Sequence, residues 1–290
     1  MPTPETAHRA ILITGASTGI GAACALALDN QGFRVFAGVR TAEAAADLAE
    51  RASPNLVPVT LDVTDPAAIA AAAATLKERL GADGLGGLVN NAGVALAGPL
   101  EALPLEEFRR QLEVNVIGAL AVTRAVLPLL RQAHGRIVNV GSLNGALSLP
   151  YLGAYAASKH ALEAVNDALR VELRPFGIQV AIVELGAIAT PIWEKSAAVA
   201  DALINQADPD KLAPYEAELA AFRCAVGGAA AQAEPVERAV ALIVRALTDA
   251  KPRARYYDRF LTRYCFRGLR FVPEPIRDWF IRRSIGLPDV

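Results

Sequence analysis

Short, uninterrupted apolar runs alternate with longer Ala- and Leu-rich stretches over most of the chain. The runs are ILITG at 11–15, RVFAGVR at 34–40, LVPVTLD at 56–62, GLVNNAG at 87–93, GRIVNVGS at 135–142 and IQVAIVELG at 178–186. Each is short enough and branched enough for a strand, and each lacks the polar alternation of a half-exposed one. Between them, helical periodicity covers 19–30, 42–51, a segment opened by Asp65 as N-cap with Pro66 in the first turn, 104–131 and 155–174, which Pro175 and Gly177 stop. Pro128 is expected to bend or end the helix it falls in. Strands that are apolar on both faces and separated by helices form a parallel sheet with helices on both sides. The expected class is therefore α/β, a Rossmann-type doubly wound sheet in a three-layer αβα sandwich.

After Gly186 the alternation stops. Residues 187–230 are Ala-rich and helical, with breaks at Pro191, Pro209 and Pro214, and 234–248 is a further helix after Pro235. No linker or repeat marks a second domain. The expectation is a single domain over 1–290, with a helical lid inserted at about 187–230 and a C-terminal extension from about 250 to 290.

Composition narrows the function classes. With 53% hydrophobic and 20% charged residues the chain reads as folded, not disordered. A net charge of −1 gives no reason to expect a nucleic-acid partner. Cys24, Cys224 and Cys265 are widely spaced and form no CxxC, so reduced thiols are expected in place of a disulfide framework or zinc site. With only His8, His134 and His160, there is little material for a metal centre or a Ser–His triad, and no metal is expected. The N-terminus has no basic start followed by an apolar run, and no stretch approaches the roughly 20 uninterrupted apolar residues of a membrane span. A cytoplasmic location is the expectation.

Candidate chemistry begins at TGASTGIG, residues 14–21, which joins the first strand to the first helix. Gly15, Gly19 and Gly21 let the backbone come close to a ligand, and the helix start, Ser17 to Gly21 with Ile20, offers unpaired N–H groups to a phosphate. The same glycines would also serve a tight, well-packed turn. The second strand ends in Gly38-Val39-Arg40, where a carboxylate would bind the adenosine ribose. Arg40 instead suits a 2′-phosphate, which favours NADP(H) over NAD(H). Asp62, followed by Val63, would bind an adenine amino group or cap the next turn.

Tyr155 and Lys159 lie one turn apart on a predicted helix and share a face. A phenol has an ordinary pKa near 10 and exchanges protons near neutrality only if its anion is stabilised, which a neighbouring ammonium can do. Ser142 closes the fifth strand at the carboxyl edge, where open α/β sheets bind ligands. Each residue alone has a bland reading as turn, core or solvated charge. The three together, downstream of a nucleotide turn, point to catalysis.

With these pieces in order, the sequence resembles the short-chain dehydrogenase/reductase family. The matching segments are TGASTGIG, NNAG at 90–93, Asn115 in LEVNVIG, Ser142, YAASK at 155–159 and LGAIAT at 185–190, covering roughly 8–250. The resemblance implies that Tyr155 donates or accepts the hydroxyl proton and that Ser142 holds the carbonyl oxygen. It implies that Lys159 binds the nicotinamide ribose and lowers the tyrosine pKa, and that Asn115 holds a relay water. Asn91, Ala92, Gly93, Gly186, Ile188 and Thr190 would line the cofactor groove. Leu149, Tyr151 and Trp193 would face substrate, though Trp193 could equally anchor the lid. Leu185 departs from the proline usual before this glycine. His160 reads as structural.

VFAGVR and the extension are similar to the retinol and hydroxysteroid dehydrogenase branch. An oxidoreductase for a carbonyl and an alcohol on a bulky apolar, steroid-, retinoid- or lipid-like substrate is thus expected. Cofactor preference varies in that branch, which leaves NAD open. A non-catalytic nucleotide-binding regulator on the same fold is the alternative, and the presence of Tyr155 and Lys159 argues against it. The family implies a homodimer or homotetramer through the helices near 105–131 and 155–174. Residues 251–290 carry ten Lys/Arg against four Asp/Glu, with Tyr256, Tyr257, Phe260, Tyr264, Phe266, Phe271, Trp279 and Phe280. Such a tail could pack over the pocket or a partner subunit, the favoured reading, or dock on an anionic membrane surface.

Overall fold

A computed structural model describes residues 9–206, 208–258 and 268–287. His8, Phe260, Tyr264, Cys265 and Phe266, which the sequence analysis singled out, lie outside the described residues. Strands β1 (Ala10–Ile13), β2 (Arg34–Val39), β3 (Leu56–Thr60), β4 (Gly87–Asn90), β5 (Arg136–Val140), β6 (Gln179–Glu184) and β7 (Arg255–Tyr257) form one sheet in the order 3-2-1-4-5-6-7. Every pairing is parallel. The doubly wound sheet expected from the sequence is the one observed. Because the order reverses between β1 and β4, their carboxyl ends leave a crevice where ligands of such sheets bind.

The continuous apolar runs follow from a sheet covered on both faces. Ile11 and Ile13 of β1 join Cys24, Leu28, Val35 and Ile243 on one side, while Leu12 joins Phe36, Leu76, Leu88 and Leu130 on the other. One face carries α1 (Gly19–Asn30), α2 (Ala42–Glu50) and, later in the chain, α10 (Val236–Thr248). The other carries α3 (Pro66–Leu80), α4 (Leu105–Leu112), α5 (Ala119–Gln132) and α6 (Gly153–Glu172). The start of α3 is as expected: Asp65 accepts from the Ala67 amide at 2.8 Å, with Pro66 in the first turn.

The helix expected over 104–131 is interrupted, but not at Pro128, which α5 passes through. The irregularity is a π-helical turn, Glu113–Gly118, between α4 and α5. There Gly118 presses on Val63, and a Cβ at Gly118 would lie 2.8 Å from the Val63 carbonyl oxygen. Leu105–Gln132 as a whole is long and apolar enough to cross a membrane, yet Val122, Thr123, Val126, Leu129 and Leu130 are buried in the core.

Residues 187–230, expected to form a lid, contain α7 (Ile192–Gln206), a single turn α8 (Pro209–Leu212) and most of α9 (Glu216–Ala231). Beyond α10, the chain departs from expectation. Residues 255–257, read as part of an extension, instead form β7 and pair with β6. The last element is α11 (Glu274–Ser284).

Candidate active site

The glycine turn is fastened from below by Thr14, buried at the end of β1. Its hydroxyl accepts from the amides of Asn91 and Ala92, both at 3.0 Å. Asn91 returns the contact, donating its amide group to the Thr14 and Gly15 carbonyls at 3.0 Å each. The glycines are required by this packing. Gly15 has φ +64°, and a Cβ there would lie 2.8 Å from Ala92 Cα, while a Cβ at Gly21 would strike the Gly15 carbonyl and the Asn91 amide. What points to a ligand is the start of α1. Thr18 occupies the N-cap without a side-chain capping bond, and Ser17, Thr18, Gly19 and Ile20 all reach the surface. That open, positively polarised terminus fits a pyrophosphate.

Beside it, the Ala16 amide bonds the Gly38 carbonyl at 2.8 Å, setting the turn against the end of β2. Arg40 is exposed two residues further on. Asp62 is occupied otherwise than as an adenine ligand alone: one oxygen accepts from the Thr64 amide at 2.9 Å and its hydroxyl at 2.7 Å. These bonds, the backbone one first, and the charge of Arg40 hold its carboxyl below the usual range. Val63 is buried against the π turn.

Across the crevice, Ser142 follows β5 and is buried, its hydroxyl accepting from the Asn144 amide at 3.2 Å. Tyr155 is half-buried near the start of α6. Burial raises its pKa, and a hydrogen bond with Ser142 works the other way. Lys159 is buried, its ammonium 5.7 Å from the Tyr155 ring centre and donating to the Val140 carbonyl at 2.8 Å. Burial brings its pKa down to about 8 despite the opposing charge of Glu163.

Asn115 lies in the π turn. Its side chain accepts from the Val94 amide at 2.9 Å and donates to the Val94 carbonyl at 2.9 Å and the Ser158 hydroxyl at 3.0 Å. It ties the loop after β4 to α6, and Gly93 lies beside it, where a Cβ would come within 3.3 Å of the Asn115 Oδ1. This fixes the π turn beside α6 and commits the side chain to protein partners.

The third wall is the 185–190 loop. The Gly186 amide donates to Asp258 at 2.6 Å, Ile188 bridges to Glu234, and Ala189 bonds the Glu234 carbonyl at 2.8 Å. Leu185, in place of the family's proline, is buried, and its carbonyl accepts from Leu143 at 3.0 Å, tying the loop to the Ser142 turn. Thr190 packs on Gly19, where a Cβ would meet it at 3.3 Å. Trp193 donates its indole N–H to the Ile188 carbonyl at 2.7 Å, tying the start of α7 to this loop.

Over the entrance, Tyr151 has φ +64°, a strained value for a non-glycine residue. Its hydroxyl donates to Glu218 of α9, and Glu218 pairs with Arg282 of α11 at 3.0 Å. The rings of Tyr215 and Phe222 pack on Tyr151 at 6.4 and 5.4 Å. Leu149 is half-buried at the base of the same loop. His160 bonds the Ala156 carbonyl within α6 at 2.9 Å.

Sequence reasoning missed Thr14 and Asp258. A polar residue ending an apolar strand was a usable signal for Thr14. Asp258 carried none, because it is placed by a strand of three residues.

A family model described as short chain dehydrogenase matches residues 9–200. Retinol dehydrogenase 5 of Mus musculus is 48% identical over 183 residues, 63% of this chain and 57% of its own length. The 17-beta-hydroxysteroid dehydrogenase type 6 of Bos taurus is 36% identical over 284 residues, 96% of this chain and 89% of its own. Among solved structures, a short-chain dehydrogenase from Streptomyces avermitilis superposes with a TM-score of 0.74 at 29% identity, covering 98% of both chains. One from Burkholderia cenocepacia J2315, in complex with NADP, gives 0.71 at 28% identity over 97% of this chain and 98% of its own.

Proposed function

The chain belongs to the short-chain dehydrogenase family, and from that premise we propose that it interconverts a carbonyl and an alcohol on a bulky apolar substrate, with NADP(H) preferred. The observation that carries the reading is convergence. Ser142, Tyr155 and Lys159 meet at the carboxyl edge of the sheet, across the crevice from the uncapped start of α1. A nicotinamide cofactor, when bound, supplies or accepts the hydride. The first turn of α1 would hold its pyrophosphate, with Asn91, Ala92 and Gly93 below it and Gly186, Ile188 and Thr190 alongside.

Tyr155 passes the proton to or from the substrate oxygen, and Ser142 positions that oxygen through its hydroxyl. Lys159 would hold the ribose hydroxyls, and its charge beside the phenol would stabilise the phenolate. Asn115 acts through position: its side chain is spent on Val94 and Ser158, so a relay water would rest on the backbone of the π turn. Arg40 reads the 2′-phosphate, being exposed, next to the glycine turn, and without a carboxylate in the ribose-binding place.

The aromatic wall of Tyr151, Tyr215 and Phe222 suits a flat, apolar substrate. The names of the retinol and hydroxysteroid dehydrogenases above support a retinoid- or steroid-like one. Leu105, Ile117 and Val171, exposed on the α4–π-turn and α6 faces, favour a homo-oligomer through those helices.

Side-by-side titration with NADPH and NADH, following nicotinamide fluorescence, tests the cofactor reading. NADPH should bind more tightly, and Arg40→Asp should reverse the order; an unchanged ratio would remove Arg40 from the phosphate site. Tyr155→Phe should bind NADPH normally yet turn over a steroid or retinoid alcohol at least about a hundredfold more slowly. Substantial residual turnover would reject Tyr155 as the proton donor.

A further inference from the structure

Beneath the catalytic helix lies a charged cluster that the proposed chemistry does not use. Glu163 sits one turn beyond Lys159 on α6, so their side chains leave the same face. Each is 8% exposed. Arg255 of β7 grips Glu163 through two donors, at 2.8 and 3.2 Å, and also reaches Asp167 at 2.7 Å and Glu184 of β6 at 3.4 Å. Three carboxylates around one guanidinium leave the cluster negative, with Arg170 a further cation at 3.6 Å from Asp167. The turn after Ser142 is built around this arrangement. A Cβ at Gly145 would fall 3.1 Å from Glu163 Cγ and 3.2 Å from the Lys159 carbonyl oxygen.

We propose that Glu163, its charge only partly neutralised by Arg255, is the counter-ion that keeps the Lys159 ammonium charged in its buried place, and so a positioning residue for the cofactor ribose. The inference rests on the cofactor reading above. A buried ammonium bonded to a single carbonyl is poorly compensated for lost hydration. Burial pulls its proton affinity down, and Glu163 is the charge that opposes this. Among the described residues, Tyr155 on its own helix also lies against Lys159, and Arg255 links Glu163 onward to Glu184 of β6. β5 and the Ser142 turn contribute neutral groups, the Val140 carbonyl and the Ser142 hydroxyl, and the π turn contributes Asn115, with Glu113 exposed at its start.

The test is the pH dependence of NADPH affinity, by nicotinamide fluorescence, in a Tyr155→Phe background where this phenol cannot titrate. Above about pH 7 the 2′-phosphate is ionised, so its own titration does not intrude. Affinity should fall as Lys159 loses its proton. Glu163→Gln, which keeps the shape and an acceptor for Arg255, should move that fall down by about one pH unit, a tenfold loss of proton affinity. Arg255→Gln, which strips the neutralising guanidinium from Glu163, should move it up. A structural defect would move both variants the same way, so a common direction, or no movement in either, overturns the proposal. Failure of the parent chain to bind NADPH at all is a different result: it rejects the cofactor reading itself.

Discussion

At Lys159, stability and the proposed role pull in opposite directions. Its pKa in the folded protein is about 8, against an ordinary 10.5, and the first cause is burial. Folding therefore favours the neutral amine. The sign follows: stability rises as pH climbs from about 8 towards 10.5, and the penalty is full below that window, where the folded protein carries a buried ammonium. Lys159→Met, of similar length and apolar, should thus stabilise the fold at pH 7 by about 1 to 3 kcal/mol while abolishing turnover. Urea unfolding at about pH 7 and again near pH 10.5 measures this, and the gain should shrink at the higher pH. A variant no more stable than its parent at neutral pH would show that the site compensates the charge fully. Tyr155 is also perturbed by burial, which raises its phenol, while the hydrogen bond with Ser142 works the other way.

At the level of elements, the six long strands were legible because a doubly covered parallel sheet leaves continuous apolar runs, as in residues 178–186. The capped start of α3 was legible for a local reason, Asp65 followed by Pro66. Two features were not. The π turn at Glu113–Gly118 has no residue signature of its own; it accompanies the fit of Gly118 against Val63 and of Asn115 against Val94, contacts between segments distant in sequence. Strand β7 is three residues long, too short for a periodicity, and is set by pairing with β6. The candidate site divides the same way. Its glycines, Ser142, Tyr155 and Lys159 could be named from spacing, whereas the fixture of the turn by Thr14 and Asn91 emerged only in space. That fixture is testable. Thr14→Val keeps the volume but takes its acceptor from the half-buried Ala92 amide, while the Asn91 amide keeps the Val89 carbonyl at 3.1 Å. The fold should lose about 1 to 3 kcal/mol, seen as a lower urea midpoint, with weaker NADPH binding because the turn is released. A change within error would show that the Ala92 amide finds another partner.

Over the whole molecule, the C-terminal helix presents two different faces, and each corresponds to one of the two readings of the tail. Ile281 is buried, and Arg282 pairs with Glu218, which bonds Tyr151, so the inner face is tied to α9. The outer face carries Ile276, Trp279 and Phe280, 59%, 51% and 46% exposed, with Arg283 stacked on Trp279 and Phe271 88% exposed nearby. The spacing puts all four of these α11 residues on one side of the helix. Glu274 and Asp278 lie near the half-buried Arg277, at 3.8 and 3.7 Å, which offsets their charge. Apolar and aromatic side chains edged by arginine, within a tail of ten basic and four acidic residues, match the surface of an anionic bilayer. A two-fold contact between copies would instead set one Arg283 near its equivalent. The proposed apolar substrate would partition into such a bilayer, close to the lid that admits it. The full chain is therefore expected to co-sediment with vesicles containing anionic phospholipid, and much less with zwitterionic ones, in a salt-sensitive way. Trp279→Asp with Phe280→Asp alters only exposed positions and should reduce that binding at least about tenfold without changing the unfolding midpoint. Co-sedimentation equal to the parent would remove this face from membrane contact. A shift in oligomeric state caused by the same pair would assign the face to a second copy.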